Sequence, residues 1–218
     1  MKQVSLTIDG QKVEAAEGEK VLFAALDAGI FIPNLCAMRN ERPAWASCRL
    51  CWVQIEGRRR PVTSCTEEVY EGMVVQTRTP EVDRLVRSAF EMIMSVHRLD
   101  CKDCPANRNC ALQDIAKARK LPLKSKRLPK IEPDFAIDES HPRLAFNPNH
   151  CVLCGKCVRI CRCDAGNWSL DFVNRGMRTF IGTFDGSPLA EQECLDCTRC
   201  ADVCPVGALY LKQDKNDD

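Results

Sequence analysis

Two cysteine runs with one shared spacing constrain this chain more than any other feature. Cys151-x2-Cys154-x2-Cys157-x3-Cys161 recurs as Cys194-x2-Cys197-x2-Cys200-x3-Cys204, with Pro205 after the second run and 32 residues, Arg162 to Glu193, between them. They read as one unit written twice. Each run predicts three thiols on a tight loop and a fourth that starts a helix pointing away. Three thiols so placed cap three corners of an iron–sulfur cube, and where two such runs occur together the fourth cysteine serves the other cube. That crossing assigns Cys151, Cys154, Cys157 and Cys204 to one 4Fe-4S cluster, and Cys194, Cys197, Cys200 and Cys161 to a second. Structural zinc is the alternative, since C-x2-C pairs also occur in zinc ribbons. Zinc leaves the third and fourth cysteines of each run without a reason for their spacing.

Two further constellations lie upstream. Cys36, Cys48, Cys51 and Cys65 follow C-x11-C-x2-C-x13-C through a β-rich stretch, and four thiolates on a long loop suit a 2Fe-2S rhomb, although the wide first interval departs from the plant-type spacing. Zinc is again the alternative. His97-x3-Cys101-x2-Cys104-x5-Cys110 ends an amphipathic helix and continues through a turn containing Pro105. A histidine on an apolar face is usually a satisfied core residue. Three spaced cysteines beside it favour instead a 4Fe-4S cluster with His97 as one ligand. A neutral imidazole in place of a thiolate removes a negative charge from the cluster's surroundings, and its free nitrogen is expected to donate a hydrogen bond.

Sixteen of the 218 residues are cysteine, and these constellations use fifteen of them. Cys163 remains, two residues past Cys161, and reads as a small buried side chain or a substitute ligand. The N-terminal stretch MKQVSLTIDGQKVEAAEGEK lacks the apolar run of about 7–15 residues that marks a secretory signal, which predicts a cytoplasmic protein. No run of roughly 18 uncharged apolar residues is present, so no membrane span is expected. Thiols in a reducing compartment point to metal rather than to disulfides. Balanced charge, 31 basic against 30 acidic residues, gives no global field toward nucleic acid. A local basic run, Ala116 to Lys130 with seven Lys and Arg, supports the remote alternative of a zinc-structured nucleic-acid module. Such runs are more often solvated or docking surfaces.

Composition and periodicity divide the chain at residues 1–78, 79–135 and 136–218. In the first section Val4, Leu6 and Ile8 alternate before an Asp9-Gly10 hairpin turn with a partner around Val13. A helix over Val21, Leu22, Ala25 and Leu26 is capped by Gly29, and Leu50 to Ile55 and Met73 to Thr77 supply further strands. From Pro80 the period becomes helical, with Val82, Leu85, Val86, Ala89, Phe90, Ile93, Met94 and then His97 on one face. A second helix covers Ala111 to Lys120, before a linker with Pro122, Pro129 and Pro133.

All four spacings in this order resemble the electron-wiring arm shared by the large iron–sulfur subunit of respiratory complex I, the diaphorase small subunit of NAD-reducing soluble hydrogenases, and the N-terminal region of iron-only hydrogenases. The stretches SVHRLDCKDCPANRNCALQ and NHCVLCGKCVRIC look like its signatures, and the resemblance spans essentially the whole chain. It implies an α+β protein: a β-grasp 2Fe-2S ferredoxin domain, a small helical 4Fe-4S domain with one His and three Cys ligands, and a two-cluster bacterial ferredoxin-like domain. It implies the same ligand roles for His97 and the fifteen cysteines. Arg162 stands where simple ferredoxins often carry Pro, and Cys163 has no counterpart. With 218 residues, space is lacking for a molybdopterin-like or hydrogen-cluster domain, so the diaphorase small subunit is nearest in size.

The resemblance further implies an electron-transfer subunit with no catalytic residue of its own. Single electrons would pass between a flavin- and NAD-binding diaphorase subunit and a second redox enzyme, a NiFe hydrogenase first, with a formate dehydrogenase, a bifurcating hydrogenase or another low-potential reductase as alternatives. No G-x-G-x-x-G, P-loop or nucleophile elbow is present, so FMN and NAD(P) are expected on the partner. His141 and His150 read as structural or solvated. Cys161→Ser is expected to lose about four irons per chain while Cys163→Ser keeps all of them, measured by iron and sulfide analysis.

Overall fold

The computed structural model describes the whole chain except Met1, Glu41, Arg42, Glu132, Pro133, Asp164, Phe184, Glu193, Leu195 and residues 213–218. Pro133 of the expected linker and Glu193 at the end of the expected spacer lie outside the described residues. Two compact units form: Met1–Met92 with Ile115–Pro122, and Ile93–Asp114 with Leu123–Asp218.

In the first unit, β1 (Gln3–Ile8) buries Val4, Leu6 and Ile8 and turns its alternate residues outward. Asp9 (φ 50°) and Gly10 (φ 82°) both adopt left-handed backbone, as a two-residue primed turn demands, so β2 (Gln11–Ala16) pairs with Ile8 opposite Gln11. The helix α1 (Val21–Asp27) buries Val21, Leu22, Ala24 and Ala25. It stops at Gly29 (φ 76°), where the Gly29 amide donates to the Leu26 carbonyl and the Ile30 amide to that of Ala25. Three more strands follow, β3 (Trp52–Ile55), β4 (Val62–Thr63) and β5 (Val74–Gln76), completing a sheet of order β2-β1-β5-β3-β4. β1 and β5 run parallel and the other pairs antiparallel. Leu6, Ile8, Val53, Ile55 and Val75 from the sheet form one apolar core with Leu22.

The Asp9 carboxylate ties the hairpin to the end of β5, accepting from the Thr77 amide at 2.7 Å and its hydroxyl at 2.5 Å. Beyond it begins α2 (Pro80–Val96), with the Thr79 hydroxyl accepting from the Val82 amide and Glu81 and Asp83 in the first turn. Helix α3 (Ala111–Arg119) ends on Arg119, whose almost fully buried guanidinium donates to Asp83 at 2.8 Å and to the Thr77 carbonyl at 3.1 Å.

The second unit uses much shorter elements. β6 (Leu144–Phe146) pairs antiparallel with the last strand, Leu209–Leu211, here β9. Between them lie α4 (Lys156–Cys163), the hairpin of β7 (Asp171–Val173) and β8 (Phe180–Gly182), and α5 (Arg199–Asp202). Buried Asn149 clasps Phe135 from both sides, its Nδ2 donating to the Phe135 carbonyl at 2.9 Å and its Oδ1 accepting from the Phe135 amide at 2.8 Å. Among the described residues no helix is long and apolar enough to cross a membrane.

Leu22→Ala removes a fully buried side chain from the first unit's core. A loss of about 2–5 kcal/mol is expected, read as a lower midpoint temperature of the far-ultraviolet circular dichroism.

Candidate metal centres

The cysteines of each constellation lie near one another in the structure. In the first unit Cys36, Cys51 and Cys65 are buried, and Cys48 is partly so. Cys36 bonds Cys48, and Cys51 bonds Cys65. Within each pair the bond pulls one thiol toward thiolate and the other away. Cys36 is drawn down to about 5 by the Cys48 side chain, whereas the bond to Cys36 and then burial drive Cys48 up. Cys51 is lowered by its bond from Cys65, and Cys65 is raised by the same bond, by burial, and by the charges of Cys51, Cys36 and Cys48. Ala46 (φ 50°) and Arg49 (φ 54°) are left-handed on the loop carrying Cys48 and Cys51. Such strain costs about 1–3 kcal/mol per residue and persists where surrounding structure holds it, commonly at binding loops.

In the second unit burial is the first cause raising Cys104 and Cys110, with the charge of Cys101 adding to both and that of Cys110 adding to Cys104. His97 is buried at the end of α2's apolar face, and its Nδ1 has no hydrogen-bond partner among the described residues. Burial, then the charges of His150 and Lys130, lower its pKa to about 4, so the ring is neutral at physiological pH with a lone pair to offer. Its ring centroid lies 5.8 Å from that of His150. His150 is itself buried: its Nε2 meets the Asp100 carboxylate at 2.6 Å, and its Nδ1 faces the Gly207 carbonyl at 3.2 Å and the Cys104 Sγ at 4.0 Å.

The remaining eight cysteines divide across the two runs. One cavity is lined by Cys151, Cys154, Cys157 and Cys204 with Pro205 and Ile181. Another is lined by Cys161, Cys194, Cys197 and Cys200 with Leu170 and Leu189. Each cavity thus takes its fourth cysteine from the other run. Burial raises Cys151 and Cys200 to about 12 and lifts Cys157 well above the ordinary thiol value, with neighbouring cysteines adding to each. Backbone amides address the sulfurs: Leu153, left-handed at φ 52°, donates to the Cys151 Sγ at 3.4 Å, and Leu209 to the Cys204 Sγ at 3.5 Å.

These surroundings fit cationic iron–sulfur cores. Crowded buried thiols resist ionising together, and a metal core supplies the missing positive charge. Among the described residues no three donor side chains converge tightly enough to hold one bare ion. A rhomb or cube spreads its ligands over separate corners.

Several details depart from the sequence-based expectations. α4 begins at Lys156, so the third cysteine, Cys157, already lies in its first turn and Cys161 falls one turn later instead of opening the helix. Cys163 is exposed, not a buried apolar side chain. Of the two readings of His150, structural or solvated, the structural one holds: it is buried and packs against Cys104 and His97. Its position directly before Cys151 is the one signal the sequence offered. The basic run is partly engaged inside the fold, with Arg119 on Asp83 and the Lys130 Nζ donating to the His97 carbonyl at 2.9 Å.

Sheet, helices and four thiol groups define an iron–sulfur protein. Residues 1–80 match the 2Fe-2S iron-sulfur cluster binding domain, residues 87–120 the NADH-ubiquinone oxidoreductase-G iron-sulfur binding region, and residues 150–208 the 4Fe-4S dicluster domain. A chain in the crystal structure of NAD+-reducing [NiFe]-hydrogenase in the H2-reduced state superposes with a TM-score of 0.84 at 31% identity, over 99% of this chain and 90% of that one. The chain belongs to the family of iron–sulfur domains shared by that hydrogenase and the NADH-quinone oxidoreductases. It is 39% identical over 206 residues to an NADH-quinone oxidoreductase subunit of Rhizobium meliloti, covering 94% of this chain and 24% of the relative. It is 38% identical over 218 residues to the NADPH-Fe(3+) oxidoreductase subunit alpha of Geobacter sulfurreducens, covering 97% and 24%. The chain therefore spans about a quarter of the length of these relatives.

A Cβ built on Gly207 would stand 2.4 Å from the Cys104 Sγ. On the ligand roles expected from the sequence, Gly207→Ala would displace that thiol and cost one 4Fe-4S centre, about four irons per chain, while the 2Fe-2S resonance in electron paramagnetic spectra would persist. Full iron content with an unchanged spectrum would count against the placement.

Proposed function

We propose that this chain relays single electrons through four clusters in three sections, 1–78, 79–135 and 136–218. Cys36, Cys48, Cys51 and Cys65 hold a 2Fe-2S cluster in a β-grasp domain. His97, Cys101, Cys104 and Cys110 hold a 4Fe-4S cluster. Cys151, Cys154, Cys157 and Cys204 hold a second, and Cys161, Cys194, Cys197 and Cys200 a third. The observation that carries the reading is the crossing of the two runs, in which each cavity draws its fourth cysteine from the other run.

Bound there, the clusters take up and release one electron at a time. The chain's own residues set the conditions. Its thiolates and neutral His97 ligate, buried apolar residues such as Leu170, Ile181 and Leu189 exclude water, and amides such as those of Leu153 and Leu209 bond to sulfur. NAD(P)H gives up a hydride, a pair of electrons, so a flavin-bearing diaphorase partner must divide the pair upstream. The second partner is a NiFe hydrogenase, a reading supported by the structural match over nearly the whole chain. The likeness to the NADPH-Fe(3+) oxidoreductase subunit favours, as the second reading, the same relay serving another terminal reductase in the cytoplasm.

Anaerobically purified protein is expected to be brown with about 14 irons, two for the rhomb and four for each of three cubes. In His97→Ala one 4Fe-4S resonance is expected to vanish or shift. A colourless zinc protein, or an unchanged spectrum in that variant, would falsify the assignment.

A further inference from the structure

Ser64 is completely buried, and its Oγ has no hydrogen-bond partner among the described residues. Buried hydroxyls nearly always have one, so an acceptor belongs near this atom once the site is in its working state. The strand pairing says where to look. β3 and β4 run antiparallel with Trp52 opposite Thr63 and Val53 opposite Val62. Continuing that register by one pair sets Cys51 opposite Ser64, and the Ser64 amide donates to the Cys51 carbonyl at 2.8 Å. Directly opposed residues project from the same face of the sheet, with Cβ atoms about 4.5–5.5 Å apart. The hydroxyl and the Cys51 sulfur are therefore neighbours on one face.

Ser64 is also pinned in place. Its carbonyl accepts from the Leu22 amide at 3.1 Å, so both backbone polar groups are held, and the whole residue is shielded from solvent. As free thiols, Cys51 and Cys65 satisfy each other. As a ligand the Cys51 sulfur has lost its proton and can only accept, which makes it an acceptor on the same face as the Ser64 hydroxyl.

We propose that Ser64 is a positioning residue for the 2Fe-2S centre: its hydroxyl donates a hydrogen bond to the ligating Cys51 sulfur and raises the centre's reduction potential. The inference rests on the reading that Cys36, Cys48, Cys51 and Cys65 hold that centre. Reduction adds negative charge that spreads onto the ligand sulfurs, and a donor aimed at one of them stabilises the reduced form more than the oxidised.

The test is a potentiometric titration of the anaerobically loaded full chain, following the 2Fe-2S resonance. At the wild-type midpoint potential, Ser64→Ala is expected to cut the ratio of reduced to oxidised centre about tenfold, the weight of one hydrogen bond to a charged acceptor. The 4Fe-4S resonances should titrate as before. Ser64→Cys, nearly isosteric but a weaker donor, should move the midpoint less and in the same direction. An unmoved midpoint in Ser64→Ala with full signal intensity overturns the proposal. A readout on the wild type covers the case in which the variants fail to load. Resonance Raman iron–cysteine stretches should shift when the protein is refolded and loaded in D2O, and a spectrum indifferent to exchange overturns the proposal too. Failure of the ligand reading looks different: Cys51→Ser would then leave both the 2Fe-2S resonance and its potential intact.

Discussion

Crowded, buried thiols cannot all carry charge at once, and the rest of the structure is arranged around that repulsion. In the first unit it shows as pairing, with Cys36 and Cys51 drawn toward thiolate while Cys48 and Cys65 are pushed away from it. In the second unit burial raises Cys151, Cys157 and Cys200, and neighbouring sulfurs raise them further. Only a cationic core lets four such thiols ionise together. The loops are shaped for that event in advance. Left-handed residues at Ala46, Arg49 and Leu153 carry backbone strain that an ordinary surface loop would relax, and the Leu153 and Leu209 amides already face sulfur.

His97 answers the same problem differently. Burial holds its ring neutral, so on the proposed ligand set its group would carry one negative charge fewer than the all-cysteine groups. His150 extends this arrangement. Standing just before Cys151 and facing both the Cys104 Sγ and Asp100, it links the stretch from His97 to Cys110 to the first residue of the run that begins at Cys151, within the same unit. Gly207 completes the contact, since any side chain there would occupy the position of the Cys104 sulfur.

What the sequence made legible follows from the strength of the local signals. The Asp9-Gly10 turn, the alternation in β1, the Gly29 cap and the 3.6-residue period from Pro80 are each local, and each element forms where the pattern puts it. Cysteine spacing suggests the four groupings because a loop's reach limits which thiols can share a site, and the two cavities of the second unit draw on both runs. Missed were β4 and the pairs β6–β9 and β7–β8. Strands of two or three residues are too short for alternation to show, and β6 is buried at all three positions. The roles of Ser64 and His150 are equally silent in sequence. One depends on cross-strand register, the other on a fold that brings residues 100, 150 and 207 to one ring.

The two units stand differently toward their metals. The first has an apolar core that needs no cofactor to close: a five-stranded sheet whose Leu6, Ile8, Val53, Ile55 and Val75 pack with Leu22 of α1. The second has strands of three residues, a four-residue α5, and a buried set in which Cys110, Cys154, Cys157 and Cys161 stand among the apolar side chains. Short elements bury little surface, and where burial falls short, metal–ligand bonds take over part of the task of holding the chain. Crossed ligation makes this most effective. On the proposed ligation, a cube held by Cys151, Cys154 and Cys157 from one run and Cys204 from the other would fasten two segments some fifty residues apart, just where β6 and β9 meet. In this half of the protein, the groups that would conduct electrons are also those that would hold the fold.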